Sequence, residues 1–114
     1  MAETHERDAF RGMMGIAAKA GKIRSGEFAS EKSVKSGKAK LCLVSGDASE
    51  RTRKHFSDMC SYRGVPLKEL ETGMTELGQM IGRGPRSSAV IEDQGLADRI
   101  IGIIDGGKAS DKRE

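Results

Sequence analysis

Tryptophan is absent, tyrosine occurs once and phenylalanine three times. Readers of single-stranded RNA that stack bases on a sheet need several aromatic side chains on adjacent strands. Phe10, Phe28, Phe56 and Tyr62 are too scattered to build such a platform. Cysteine is nearly as scarce. Cys42 and Cys60 have no Cys-x-x-Cys spacing, and with His5 and His55 as the only histidines no zinc site can be assembled. Reduced thiols in a cytoplasmic protein are the expectation. No run of about 18 apolar residues exists, which excludes a transmembrane helix, and no apolar leader-like segment is present. No membrane partner is therefore expected. The glycine-rich stretch Gly78–Gly84 has no phosphate-loop lysine followed by Ser or Thr, and the dinucleotide fingerprint is also missing.

What is abundant is charge, at 32% of 114 residues. It is unevenly distributed. Between residues 19 and 40 seven basic side chains face two acidic ones, whereas from 64 to 105 four basic side chains face seven acidic ones. A lysine-rich segment attracts polyanions by releasing their condensed counterions; on charge alone, a solubilising surface explains it equally well. A chain of this length supports one core, burying about 65% of its unfolded surface.

The organising stretch is Leu41–Val44, a continuous apolar run between lysines and Gly46 that suits a central strand covered on both faces. Asp47 and Glu50 follow with capping-box spacing, which predicts a strand feeding directly into a helix. Upstream, Phe10, Met13, Met14 and Ala17 recur with helical period, and Gly21 is placed to end that helix. Lys22–Arg24 is a short strand or connector. A second helix is predicted from about Ser25, its cap, to Ser36, with Ser30, Glu31, Lys32, Ser33 and Lys35 supplying most of its surface.

The third helix carries Thr52, His55, Phe56, Met59, Cys60 and Arg63 on one side and stops at Gly64 before Pro66. Val65–Leu70 reads as a strand, Met74 to Ile81 as a short helix ended by Gly82, and Ala89–Ile91 as a strand. A last helix is capped by Asp93 and carries Leu96, Ala97, Ile100, Ile101 and Ile104. Arg83–Ser88, with its Gly-Pro pair, is irregular. Helices and strands alternate, which predicts an α/β chain folded as a three-layer α/β/α sandwich with a mixed sheet of about four strands. One domain over 7–105 is expected, with disordered tails at 1–6 and 106–114.

Catalytic constellations are not found. His55 reads as a core-edge residue of the third helix, Cys60 on the same stripe as a buried thiol that packs as a small hydrophobe, and Asp47 and Asp93 are explained as caps. The expectation is a non-enzymatic protein without cofactor, metal or catalytic residues. Nucleic-acid binding has more support: the amides of Gly26 and Glu27 at a helix start, Lys32 and Lys35 along it, and Arg83 and Arg86 from the irregular loop would together suit phosphates.

Three segments then carry a family likeness: Ala18–Glu27; Lys32 with Lys35–Val44; and Asp47–Ser49. Cys60, Gly64–Pro66, Glu76–Gly78 and Ile81–Gly82 extend it. The pattern resembles the bacterial branch of the ribosomal protein L-seven-Ae / L-thirty-e family across nearly everything from Arg11 to Ile104. The resemblance implies an α/β/α sandwich and kink-turn RNA as the family's ligand, held by the start of the second helix and a loop before the last strand. By position these fall at Gly26–Lys32 and Arg83–Ser88, and the implied RNA-facing set is Arg24, Gly26, Glu27, Phe28, Lys32, Lys35, Arg83, Arg86 and Ser87. The family's reading motif has Asn and Glu where this chain has Phe28 and Ala29, so base-edge reading is expected to be relaxed or altered. The expected partner is structured RNA, with ribosomal RNA as one source, bound by a monomer connected with the ribosome or translation. The alternative from another class is a protein-interaction module on the same scaffold, with Phe28 as its best evidence.

Overall fold

Leu41–Val44 forms the strand expected of it, and the two faces of that strand organise the molecule. In the computed structural model the backbone is described for residues 2–112 and side chains for residues 8–106. Elements run α1 (Ala2–Lys19), β1 (Ile23–Ser25), α2 (Glu27–Lys35), β2 (Leu41–Val44), α3 (Glu50–Arg63), β3 (Leu67–Glu69), α4 (Met74–Met80), β4 (Ser88–Ile91) and α5 (Gln94–Lys112). The tails expected at 1–6 and 106–114 fall mostly outside the residues whose side chains are described.

The sheet order is β1-β4-β2-β3, with β4 antiparallel to both β1 and β2, and β2 parallel to β3. The parallel pair is joined by α3, because parallel strands need a crossover. Side chains alternate across the pleat. Leu41 and Leu43 therefore pack with Phe10 and Met14 of α1, Leu77 and Met80 of α4, and Ala97 and Ile100 of α5. Cys42 and Val44 face the other way, onto Val34 of α2 and Phe56, Met59 and Cys60 of α3. Three layers result, α1/α4/α5, sheet and α2/α3, as the alternation of elements predicts. No helix among the described residues is long and apolar enough to cross a membrane.

Several local expectations are corrected by contacts between remote segments. Asp47 does not cap α3. Ser49 does, accepting from the Thr52 amide at 3.1 Å, while Asp47 reaches across to accept the Met74 amide of α4 at 3.0 Å. Ser25 does not cap α2 either; the cap position is Gly26, with φ 93 and ψ 156, a backbone that favours glycine. Ser30 and Ser33 are buried rather than surface-forming. Ser30 accepts from Ser88 Oγ at 3.3 Å, and Ser33 donates to Glu92 at 2.7 Å, so small hydroxyls satisfied by β4 and its end let α2 lie close to the sheet.

Candidate nucleic-acid interface

Strand registers decide what gathers at one end of the sheet. Ser25 pairs with Ala89, and Val44 pairs with both Ser88 and Glu69, so the ends of β1, β2 and β3 and the start of β4 lie together. Helices α2, α3 and α4 all begin there. Ser49 accepts an amide of α3 and Asp47 one of α4, but among the described residues no side chain caps the first turn of α2. That turn keeps its unpaired N–H groups and the positive end of its dipole.

The irregular loop is held against this uncapped end. The Gly26 amide donates to the Ser88 carbonyl at 3.0 Å, and Arg86 Nε donates to Ser25 Oγ at 3.1 Å. A Cβ at Gly26 would stand 4.0 Å from Arg86 Nε. The Arg86 guanidinium also donates to the Pro85 carbonyl at 3.1 Å, which folds the side chain over its own loop. Below, the loop is tied to α4: the Arg83 amide donates to Gly78 O at 2.8 Å and the Arg86 amide to Met74 O at 3.1 Å.

Gly78 permits that approach. It is buried inside α4, and a Cβ on it would lie 1.9 Å from the Gly84 carbonyl oxygen. Gly82, with φ 73, fits the helix-end role expected of it, whereas Gly78 lies inside the helix. Its available signal was a glycine in a helix interior, where the cost of about 1 kcal/mol relative to alanine asks for a packing reason. Ser25 and Met74 are the other residues that position this loop and that sequence reasoning missed.

The residues expected to face RNA are brought together unequally. Gly26, Glu27, Phe28, Arg86 and Ser87 sit at the end where α2 meets the loop, whereas Arg83 lies earlier in the loop, its amide bonded to Gly78 of α4. Ser87 contributes its carbonyl, which accepts from the Ser45 amide. Phe28 is 80% exposed, and it lines an open groove along α2 with Glu31, Lys32, Lys35 and Ser36. Lys35 pairs with Glu31 at 2.7 Å, and His55 approaches the same carboxylate at 3.2 Å. Lys35 first, and then His55, holds the Glu31 carboxyl below its ordinary value. Arg24 is turned away: its guanidinium meets Glu92 at 3.5 Å and the Ile23 carbonyl at 3.0 Å. Among the described residues, Lys32, Arg83 and Arg86 have no carboxylate within 4.0 Å.

No group of three or more His, Cys, Asp or Glu able to hold a metal ion occurs among the described residues. An uncapped helix end beside Arg86, which has no carboxylate partner among the described residues, is suited to phosphate oxygens, which accept hydrogen bonds from amides and guanidinium groups alike.

The α/β/α sandwich with a loop packed against the start of its second helix defines a fold class, and comparison with known proteins identifies the family. The chain belongs to the ribosomal protein L7Ae/L30e/S12e/Gadd45 family, which it matches over residues 8–101. It is 38% identical over 93 residues to a Bacillus subtilis (strain 168) protein named RNA-binding protein YlxQ, covering 82% of this chain and 92% of that one. A protein of the same name from Enterococcus faecium is 39% identical over 94 residues, covering 82% and 89%. Among solved structures, a protein with unknown function from Bacillus halodurans C superposes with a TM-score of 0.80 at 29% identity, covering 84% of this chain and 96% of that chain. The Giardia lamblia 15.5kD RNA binding protein superposes with a TM-score of 0.75 over 92% and 89%; at 22% identity it supports the fold alone. The resemblance read from the sequence is borne out.

Proposed function

We propose that this protein binds structured RNA without catalysing a reaction, using the amino end of α2 and the Arg83–Ser88 loop, in a role connected with the ribosome or translation. The observation that carries the reading is the Arg86–Ser25 hydrogen bond with its neighbouring Gly26–Ser88 bond, because these contacts join two remote segments into one cationic surface. Family membership and the relatives' name, RNA-binding protein, support it independently. Phosphate contacts position the RNA through the α2 amides, Lys32 and Arg83, while base edges are read weakly. Phe28 and Ala29 offer no directional donors or acceptors where the family motif has Asn and Glu. Kink-turn specificity is therefore relaxed.

The test is a salt titration against a panel of a kink-turn, an internal-loop hairpin and a plain duplex. Lys32→Ala with Arg83→Ala is expected to weaken binding to every RNA and to flatten the slope of log affinity against log salt by roughly 0.7–0.9 for each phosphate that is no longer neutralised. Phe28→Asn with Ala29→Glu is expected to restore preference for the kink-turn by about tenfold or more. Unchanged binding of the lysine–arginine variant at low and moderate salt would overturn the assignment of this surface. Copurification partners that survive ribonuclease would favour the protein-interaction alternative, for which exposed Phe28 is the supporting observation.

A further inference from the structure

Two of the four aromatic side chains are nearly fully exposed, Phe28 at 80% and Tyr62 at 85%, and they mark opposite ends of the same surface. Phe28 sits in the first turn of α2, next to the proposed phosphate site. From there the helix runs seven residues to Lys35, about 10 Å, with Lys32, Lys35 and Ser36 along the groove that Phe28 opens. At its far end Arg63 of α3 donates to the Lys35 carbonyl at 3.1 Å, and the same guanidinium lies 5.6 Å from the centre of the Tyr62 ring. An isolated exposed ring needs no explanation. Here, however, Lys32 and Lys35 of the groove and the Arg63 guanidinium stand between two exposed rings, on a helix whose start adjoins Arg86.

The acidic groups on this path are accounted for. Glu31 lies in the groove but is neutralised by Lys35 at 2.7 Å and approached by His55 at 3.2 Å, Glu27 stands beside the positive end of the helix, and Asp58, one turn before Tyr62 on α3, is paired with Lys54 at 3.2 Å. Lys32 and Arg63, like Arg83 and Arg86, have no carboxylate within 4.0 Å among the described residues. A polyanion whose monomers each carry a π-face matches this alternation of ring and cation. An apolar peptide would leave the charges unmatched, and a rigid duplex hides its base faces.

We propose that the outer face of α2, continued by the Tyr62–Arg63 end of α3, is a track for single-stranded RNA that flanks the structured element, with unpaired bases stacking on Phe28 and Tyr62. The inference rests on the proposed RNA-binding function and adds a second, sequence-tolerant region to it. It also places base stacking on helices, where the scarcity of aromatics had argued only against a sheet platform.

The chain has no tryptophan, so Phe28→Trp introduces a single indole reporter at the groove mouth. Dodecauridylate is expected to quench that indole saturably. An internal-loop hairpin with a twelve-nucleotide uridine tail is expected to bind the parent protein about tenfold more tightly than the same hairpin without it. Tyr62→Ala, which lies outside the proposed structured-RNA site, should remove most of this advantage while leaving the tailless hairpin unaffected, and Phe28→Ala should also reduce the gain from the tail. Both side chains are exposed, so these variants should melt with the parent. Binding of the tailless hairpin with no gain from the tail and no quenching would overturn the track and leave the proposed function standing. Failure to bind either RNA would remove both. Indole quenching by ribonuclease-treated lysate but not by oligonucleotide would identify a protein as the occupant and overturn the track as well.

Discussion

Replacing Gly78 by alanine tests how the loop is held in place. The added methyl would lie 1.9 Å from Gly84 O and 2.9 Å from Arg83 O, against an ordinary separation of at least 3.4 Å, so the loop must retreat by about 1.5 Å. The obstacles are backbone atoms and cannot rotate away. Retreat stretches the Arg83–Gly78 and Arg86–Met74 bonds, now 2.8 and 3.1 Å, each worth about 0.5–1.5 kcal/mol, and overpacking adds about 1–3 kcal/mol. Alanine's better helix propensity returns about 1 kcal/mol. A net loss of about 2 kcal/mol is expected, a fall in Tm of about 8 °C for a domain of this size. Gly102→Ala is the control: it lies within α5, and a methyl there would meet nothing within 4 Å, so the same substitution should stabilise by up to about 1 kcal/mol. Thermal melts of the two variants, read alongside RNA affinity, separate helix propensity from loop displacement. If Gly78→Ala melts with Gly102→Ala and binds RNA like the parent, the loop is not braced by α4 and the reasoning fails.

Three further outcomes are expected. Ser49→Ala removes the hydroxyl that accepts the Thr52 amide and should cost about 1 kcal/mol in a denaturant titration, with the m-value unchanged. Glu31 has a depressed carboxyl pKa, so its interactions with Lys35 and His55 stabilise the fold above the ordinary value of 4.5 and are lost as pH falls through the lower folded-state value. Melting curves of the parent and Glu31→Gln should therefore differ near neutrality and converge in acid. Cys42 and Cys60 are buried at 0% and 1% exposure, and the neighbouring Cys60 together with burial pushes the Cys42 thiol far up. Both thiols should resist alkylation in the native state and react at a rate that follows global unfolding, as measured by mass spectrometry at increasing denaturant.

Much of the architecture was legible because it depends on neighbours in the chain. Leu41–Val44 is apolar at every position, so both of its faces had to be covered, and a sandwich follows. Gly64 ends a helix and Asp93 starts one by local geometry. The φ of 72 at Gly64 and the 2.8 Å bond from the Leu96 amide to Asp93 match the roles read for them. The family likeness likewise identified the helix start and the loop that the fold places side by side.

Contacts between distant segments were decided only on folding. Asp47 had two helix ends within reach, and the Gly46 backbone, bonded to Thr72 at 2.8 Å, delivers it to α4 rather than α3. Arg24 belonged by position to the basic segment, yet the antiparallel pairing of β1 with β4 sets it beside Glu92. The period of a helix or strand is written into consecutive residues, whereas the partner of a polar side chain depends on sheet order and loop path. For this protein, residue order determined the layers and the helix ends, and tertiary packing determined that the start of α2 and the Arg83–Ser88 loop form one surface, because only strand registry sets the distance between them.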